Sequence, residues 1–162
     1  MFDVDVHIIR FNEPDWMIDR CLDSLKSQPV KIHIVKGVKE YPPFKGREKG
    51  FSKGSAVYAS FVDPDDLVAP DAFASLLEFF GHDIIWGNEE IWHGERMVKV
   101  NDKPHHAYLI RRNIPNFILA EGASPVFCAT FREGVSSHHV DRVLYRWNES
   151  EGYGFKNKDW FK

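Results

Sequence analysis

Asp63, Asp65 and Asp66 close the apolar run Val57-Tyr-Ala-Ser-Phe-Val62, in the order Asp63-Pro-Asp-Asp66. Pro64 cannot donate to a strand ladder and fixes its own φ, so pairing should stop at Asp63 and the acids should sit on the turn that follows. Carboxylates gathered on one turn repel each other unless a cation lies between them, and hard oxygen donors suit Mg²⁺ or Mn²⁺. A divalent ion held there would in turn hold a diphosphate. The alternative is a polar turn in which an aspartate caps a helix starting near Pro70. Charge of the opposite sign gathers upstream, at Lys36, Lys39, Lys45, Arg47, Lys49 and Lys53. That segment would suit phosphates or form a solvated loop. Within it Arg47 stands out, because a guanidinium fork matches phosphate geometry.

The elements that must position these groups can be read from periodicity. Val4 to Ile9 is a β-branched strand that breaks at Arg10-Phe-Asn-Glu-Pro14. Asn12 or Glu13 can cap a helix there, Pro14 suits its first turn, and Met17, Ile18, Cys21, Leu22 and Leu25 recur at helical spacing. Val30 to Val35 alternates as a second strand, so the opening is a βαβ unit with parallel strands and a right-handed connection. In open α/β sheets ligands bind beyond the carboxyl ends of such strands, which is where the acid turn falls. Residues 36–54, with Tyr41-Pro-Pro43 and four glycines, read as loop with at most a short helix. Pro70 to Phe80 reads as a helix closed by Gly81, and Asp83 to Val100 as a hairpin turning at His93-Gly94. Residues 103–113 read as irregular chain or a short helix. Strands are expected at Val126 to Phe131 and Val140 to Trp147, with a polar, loosely held tail from about residue 148.

With 162 residues the chain suffices for one domain, read as 1–162 without a linker, burying roughly two-thirds of its unfolded surface. A hydrophobic fraction of 43% and an aromatic fraction of 14% are those of a folded, ring-rich core rather than a disordered chain. The net charge of -3 gives no general attraction to nucleic acid. Cys21 and Cys128 lie far apart, and neither a secretory leader nor an apolar run long enough to span a bilayer is evident. These features predict a soluble, cytoplasmic protein with free thiols.

Taken in order, the motifs resemble the inverting, family-2-like glycosyltransferases of the GT-A fold. Ile8-Ile-Arg-Phe-Asn-Glu-Pro14, Cys21-Leu-Asp-Ser-Leu25 and Gln28 resemble that family's first strand, nucleotide loop and first helix. Arg47-Glu-Lys-Gly50 is similar to its phosphate-side segment, and Phe61-Val-Asp-Pro-Asp-Asp66 to its metal-binding DxD. Asp83-Ile-Ile-Trp-Gly-Asn-Glu-Glu90 with Gly94, Gly122-Ala-Ser124 with Val126-Phe127, and Val143 to Trp147 resemble the strand pair after DxD, the acceptor-side glycine loop and the closing strand. The resemblance implies a single α/β domain with a mixed, mainly parallel sheet flanked by helices and a Rossmann-like nucleotide-binding half. It also implies a nucleotide-diphospho-sugar donor, a Mn²⁺ or Mg²⁺ cofactor, and transfer to a hydroxyl acceptor with inversion. Arg10, Phe11, Asn12, Arg47, Gly50 and Asp63 would contact the donor. Asp65 would ligate the metal directly, Asp63 would share it or hold the ribose, and Asp66 would support them or cap a helix.

The chain departs from the family pattern in three places. The second strand ends in Val35-Lys36-Gly37 where the family has an acid that reads the base. The family's Glu-Asp helix, whose Asp deprotonates the acceptor, has no counterpart between residues 132 and 139, which leaves Glu133 as the candidate base and Asp141 as a structural acid. Asn148 stands near where many relatives have a histidine, so His139 of the His138-His139 pair is the candidate imidazole for the metal, the alternative being two loop histidines. His105-His106 reads as surface. A catalytically degenerate module that binds nucleotide or glycan without transfer is the alternative to the enzyme.

Overall fold

The computed structural model describes residues 3–37, 43–114 and 134–149. The chain runs β1 (Val4–Arg10), α1 (Asp15–Leu25), β2 (Lys31–Lys36), α2 (Pro43–Phe51), β3 (Tyr58–Val62), β4 (Leu67–Val68), α3 (Ala72–Leu77), β5 (Ile84–His93), β6 (Arg96–Asn101), β7 (Tyr108–Arg111) and β8 (Ser137–Asn148). The expected βαβ opening is present, with β1 pairing in parallel to both β2 and β3. The expected hairpin forms from β5 and β6, turning at Gly94, whose φ of 58° lies in the left-handed region that glycine enters at low cost.

The strands form one mixed sheet in the order β2-β1-β3-β7-β5-β8-β4, with β6 on β5. β1–β2, β1–β3 and β5–β8 are parallel, while β3–β7, β5–β7, β5–β6 and β4–β8 are antiparallel. β1 shows why helices cover both faces. Its side chains alternate: Val4, Val6 and Ile8 join Cys21, Leu25, Phe73 and Leu76 in one cluster, and Ile9 joins Val35, Phe61, Ile110 and Ile114 in another. The first cluster is covered by α1 and α3, the second by α2.

Four local features differ from the sequence reading. α1 starts after Pro14 without a side-chain cap; Glu13 turns back instead, its Oε2 accepting the Phe11 N–H at 2.7 Å. α2 is a nine-residue helix where loop with at most a short helix was expected. Its two glycines, four apart and on one face, allow it to lie close on β1: a Cβ at Gly46 would come within 2.5 Å of Ile9, and one at Gly50 within 3.2 Å of His7 and Phe61. The two-residue β4 follows the acid turn, and β7 occupies part of the segment read as irregular. The expected strand at 126–131 and the tail from residue 150 lie outside the described residues.

The α2 packing yields a direct test. Gly46→Ala should raise intrinsic helix propensity by about 1 kcal/mol, yet the net effect should be a loss of roughly 1–3 kcal/mol because the new methyl overlaps Ile9. Urea unfolding decides between the two effects; a stabilised variant would mean that α2 does not seat on β1 as described.

Candidate active site

Strand direction assembles the site. β1, β2 and β3 are parallel, so Arg10, Lys36 and the Asp63–Asp66 turn share one edge of the sheet. β7 runs antiparallel to β3, with Tyr58 opposite Arg111, so its leading residues His105 and His106 arrive at that same edge. β5 runs antiparallel to β7 and carries Glu89 to it. β8 pairs Tyr145 with Glu89, which brings Tyr145, Trp147 and Asn148 alongside.

The acid turn is held on several sides. Gln28 fixes the chain that follows it, donating from Nε2 to Ala69 O at 2.7 Å and accepting the Phe73 N–H at 3.2 Å. The Asp63 N–H donates to the Tyr145 hydroxyl at 3.2 Å, and that hydroxyl donates to Asp66 Oδ2 at 2.8 Å. The other Asp66 oxygen accepts the Asn148 N–H at 2.9 Å, so Asp66, 0% exposed, anchors β8 to the turn rather than capping α3. Arg20 donates to the Asp65 carbonyl at 2.8 Å. Cys21, a free and buried thiol, lies against the Asp63 carbonyl at 3.7 Å, and burial followed by the nearby aspartates pushes it up to about 12.

Asp63 faces Arg47 Nη2 at 3.4 Å and His106 Nε2 at 3.6 Å. Burial would raise its pKa, but the Arg47 guanidinium, by its charge and its hydrogen bond, outweighs that and holds it below the usual carboxylate range. Asp65 behaves oppositely: burial, then the Asp63 charge, pushes it up to about 7. Asp66 is raised well above the ordinary value by burial and by both neighbours, against the pull of its two hydrogen bonds. With Arg47 as the facing guanidinium, three carboxylates on one turn favour protonation of Asp65 and Asp66. A divalent cation would let them ionise, so the donor set fits one. The ligand atoms of Asp63, Asp66 and His106 lie within 4.8 Å of one another, as do those of Glu89, His105 and His106.

Glu89, 1% exposed, organises the second group. Its Oε1 accepts from His105 Nδ1 at 2.9 Å and Asn101 Nδ2 at 2.8 Å, and its Oε2 from His106 Nδ1 at 2.8 Å. Burial would raise its pKa, but the hydrogen bonds from His105 and His106 hold it well below the carboxylate range. Burial also lowers the pKa of His106 despite Glu89.

The expected site residues fall as follows. Arg10 ends β1 and donates to Glu13 O at 3.0 Å and Asp15 Oδ1 at 2.6 Å; Phe11 lies over Gly37 and Asn12 is exposed on the same loop. Arg47 meets Asp63. Gly50 lies in the same helix as Arg47, on the side that faces the sheet. Asp65 sits on the turn but belongs to neither ligand group. His139 bonds Asn88 Oδ1 at 2.7 Å and stacks on Trp86, so the histidine beside Asp63 is His106 instead. His106, read as surface, is buried at 8% exposure. Glu133 and the glycine loop at 122–124 lie outside the described residues. Glu89, His106 and Tyr145 were missed; the apolar run Ala107 to Ile110 was the available signal, since a strand there delivers His106 to the edge.

No protein-family model and no curated protein matches the sequence. Solved structures do match the fold. TarS of S. aureus, residues 1–349 in complex with UDP-GlcNAc, superposes with a TM-score of 0.72 over 96% of this chain and 61% of that one, at 12% identity. The mannosyltransferase PcManGT from Pyrobaculum calidifontis, in complex with GDP-Man and Mn²⁺, gives 0.61 over 89% of this chain and 56% of that one, at 14% identity. The fold is GT-A-like. This chain spans about three-fifths of the length of those GT-A structures. Among the described residues, no helix is long and apolar enough to cross a membrane.

Proposed function

We propose that the chain binds a nucleotide-diphospho-sugar with a divalent cation, Mn²⁺ or Mg²⁺, at the acid turn and transfers the sugar to a hydroxyl acceptor with inversion. The observation that carries this reading is the convergence of Arg47, the three acids and His106 at the carboxyl edge of a GT-A-like sheet. It is supported by the UDP-GlcNAc complex of TarS and the GDP-Man and Mn²⁺ complex of PcManGT. Asp63 and Asp65 would hold the cation, which would neutralise charge developing on the departing diphosphate. Arg47 would take a phosphate oxygen, and Arg10, Phe11 and Asn12 would border the nucleotide. The acceptor oxygen bonds to the anomeric carbon as the carbon–phosphate-oxygen bond breaks on the opposite side, and the acceptor proton goes to Glu133. The acceptor is a hydroxyl on a glycan, protein or small molecule. The free thiol of Cys21 suits a reducing setting such as the cytoplasm.

One observation favours the second reading, a module that binds without transfer. Residues 134–136 form a turn and irregular chain leading directly into β8, so these three residues contribute no helix to carry a base. Release of nucleoside diphosphate across a panel of sugar nucleotides separates the two. Turnover supports the enzyme; metal-dependent binding without release under every donor and acceptor supports the module.

The end of β2 makes a further prediction. Lys36 offers only donors where a carboxylate could accept the uracil imide N–H, so UDP, GDP, ADP and CDP affinities should lie within about tenfold, or roughly 1.4 kcal/mol, of one another. A strong uridine preference that survives Lys36→Ala would contradict this.

A further inference from the structure

His106 has the orientation of a metal ligand. Its Nδ1 lies 2.8 Å from Glu89 Oε2, and the buried carboxylate also takes N–H groups from His105 and Asn101 on its other oxygen. Glu89 accepts, so Nδ1 of His106 carries the proton, and in the neutral imidazole Nε2 keeps its lone pair. That lone pair faces Asp63 Oδ2 at 3.6 Å. Two electron-pair donors at this separation are too far apart for a good hydrogen bond and repel unless positive charge lies between them. Metal–ligand bonds of about 2.0–2.2 Å put neighbouring ligands of one ion roughly 3 Å apart, a small adjustment from the observed gap. The ring is also fixed: it stacks on Tyr145 with centroids 5.2 Å apart and planes at 11°, and Tyr145 is itself tied to Asp66. A carboxylate on the far nitrogen is the usual companion of a metal-binding imidazole.

We propose that His106, oriented by Glu89, is a nitrogen ligand of the cation shared with Asp63, and that this imidazole biases the site towards Mn²⁺ over Mg²⁺. The inference rests on the nucleotide-binding reading above. Mg²⁺ takes oxygen ligands, whereas the divalent first-row transition metals, Mn²⁺ included, also accept an imidazole nitrogen. Glu89 is a positioning residue, since it touches the imidazole and not the ion.

The test uses Mn²⁺ with UDP or GDP, read by pulsed electron paramagnetic resonance and by titration calorimetry. The parent should show nitrogen modulation from a directly bound imidazole. His106→Gln, which keeps a polar side chain of similar size, should lose that modulation and most of the Mn²⁺-over-Mg²⁺ preference. Glu89→Gln should keep the modulation while Mn²⁺ affinity falls by about 10–100-fold. Modulation that persists in folded His106→Gln, or a parent that binds Mn²⁺ and nucleotide without it, overturns the His106 assignment and leaves the nucleotide-binding reading standing. Nucleotide binding by the parent that is indifferent to chelation overturns both.

Discussion

Glu133→Gln is expected to slow sugar transfer by roughly a hundredfold or more while leaving Mn²⁺-dependent nucleotide affinity unchanged. The acceptor hydroxyl must lose its proton as its bond to the anomeric carbon forms, and a positioned carboxylate is the natural receiver. Among the acids near the closing strand, Asp141 is occupied: it accepts from Asn88 Nδ2 at 2.9 Å. Glu89 is saturated by two imidazoles and an amide. Asp66 is enclosed, with both oxygens bonded. Glu133 stands four residues before Ser137, where β8 begins. Steady-state turnover and nucleotide titration of the same preparation provide the check. Equal rates for parent and variant would remove Glu133 from the base role.

The second large effect concerns stability. Asp5 is 1% exposed on β1 and joins three parts of the chain: it meets His33 Nε2 at 2.8 Å on β2, the Ala56 N–H at 2.9 Å before β3, and Arg112 Nη2 at 3.0 Å after β7. Asp5→Ala would strip the counter-charge from a largely buried guanidinium and leave an amide without its acceptor. A loss of about 3–5 kcal/mol is expected, a large share of an ordinary domain's stability. Burial would raise the Asp5 pKa, but its bonds with His33, Ala56 and Arg112 outweigh that and lower it. A depressed folded-state pKa contributes stability above the unfolded value of about 3.9 that is lost as pH falls through the folded value. Denaturant unfolding from pH 7 to 3 should therefore show the parent losing its advantage over Asp5→Asn on the acid side. A constant difference across that range would contradict the charge argument.

The βαβ opening was legible because β1, α1 and β2 each show their own period within a short window. α2 was not, since two glycines lower helix propensity. What propensity counts against the helix, packing uses, because Gly46 and Gly50 let it approach Ile9 and His7. β7 was illegible for a different reason. Four residues, Tyr108–Arg111, are too few to declare a period, and they form a strand because β3 and β5 flank them. With β7 unread, His106 had no visible route to Asp63. The acids themselves were plain, since Pro64 ends the strand wherever the rest of the sheet lies. The role of Asp66 required knowing that β8 returns beside the turn.

Titration calorimetry of UDP and GDP, in Mn²⁺ and in chelator, for the parent and Asp65→Ala, tests the central claim most directly. The parent should bind in Mn²⁺ and lose that affinity on chelation, because two phosphates beside Asp63, Asp65 and Asp66 repel without a cation between them. Folded Asp65→Ala should bind at least about tenfold more weakly, a change of roughly 1.4 kcal/mol. Equal affinity in chelator, or in Asp65→Ala, would contradict a cation-held diphosphate at this turn.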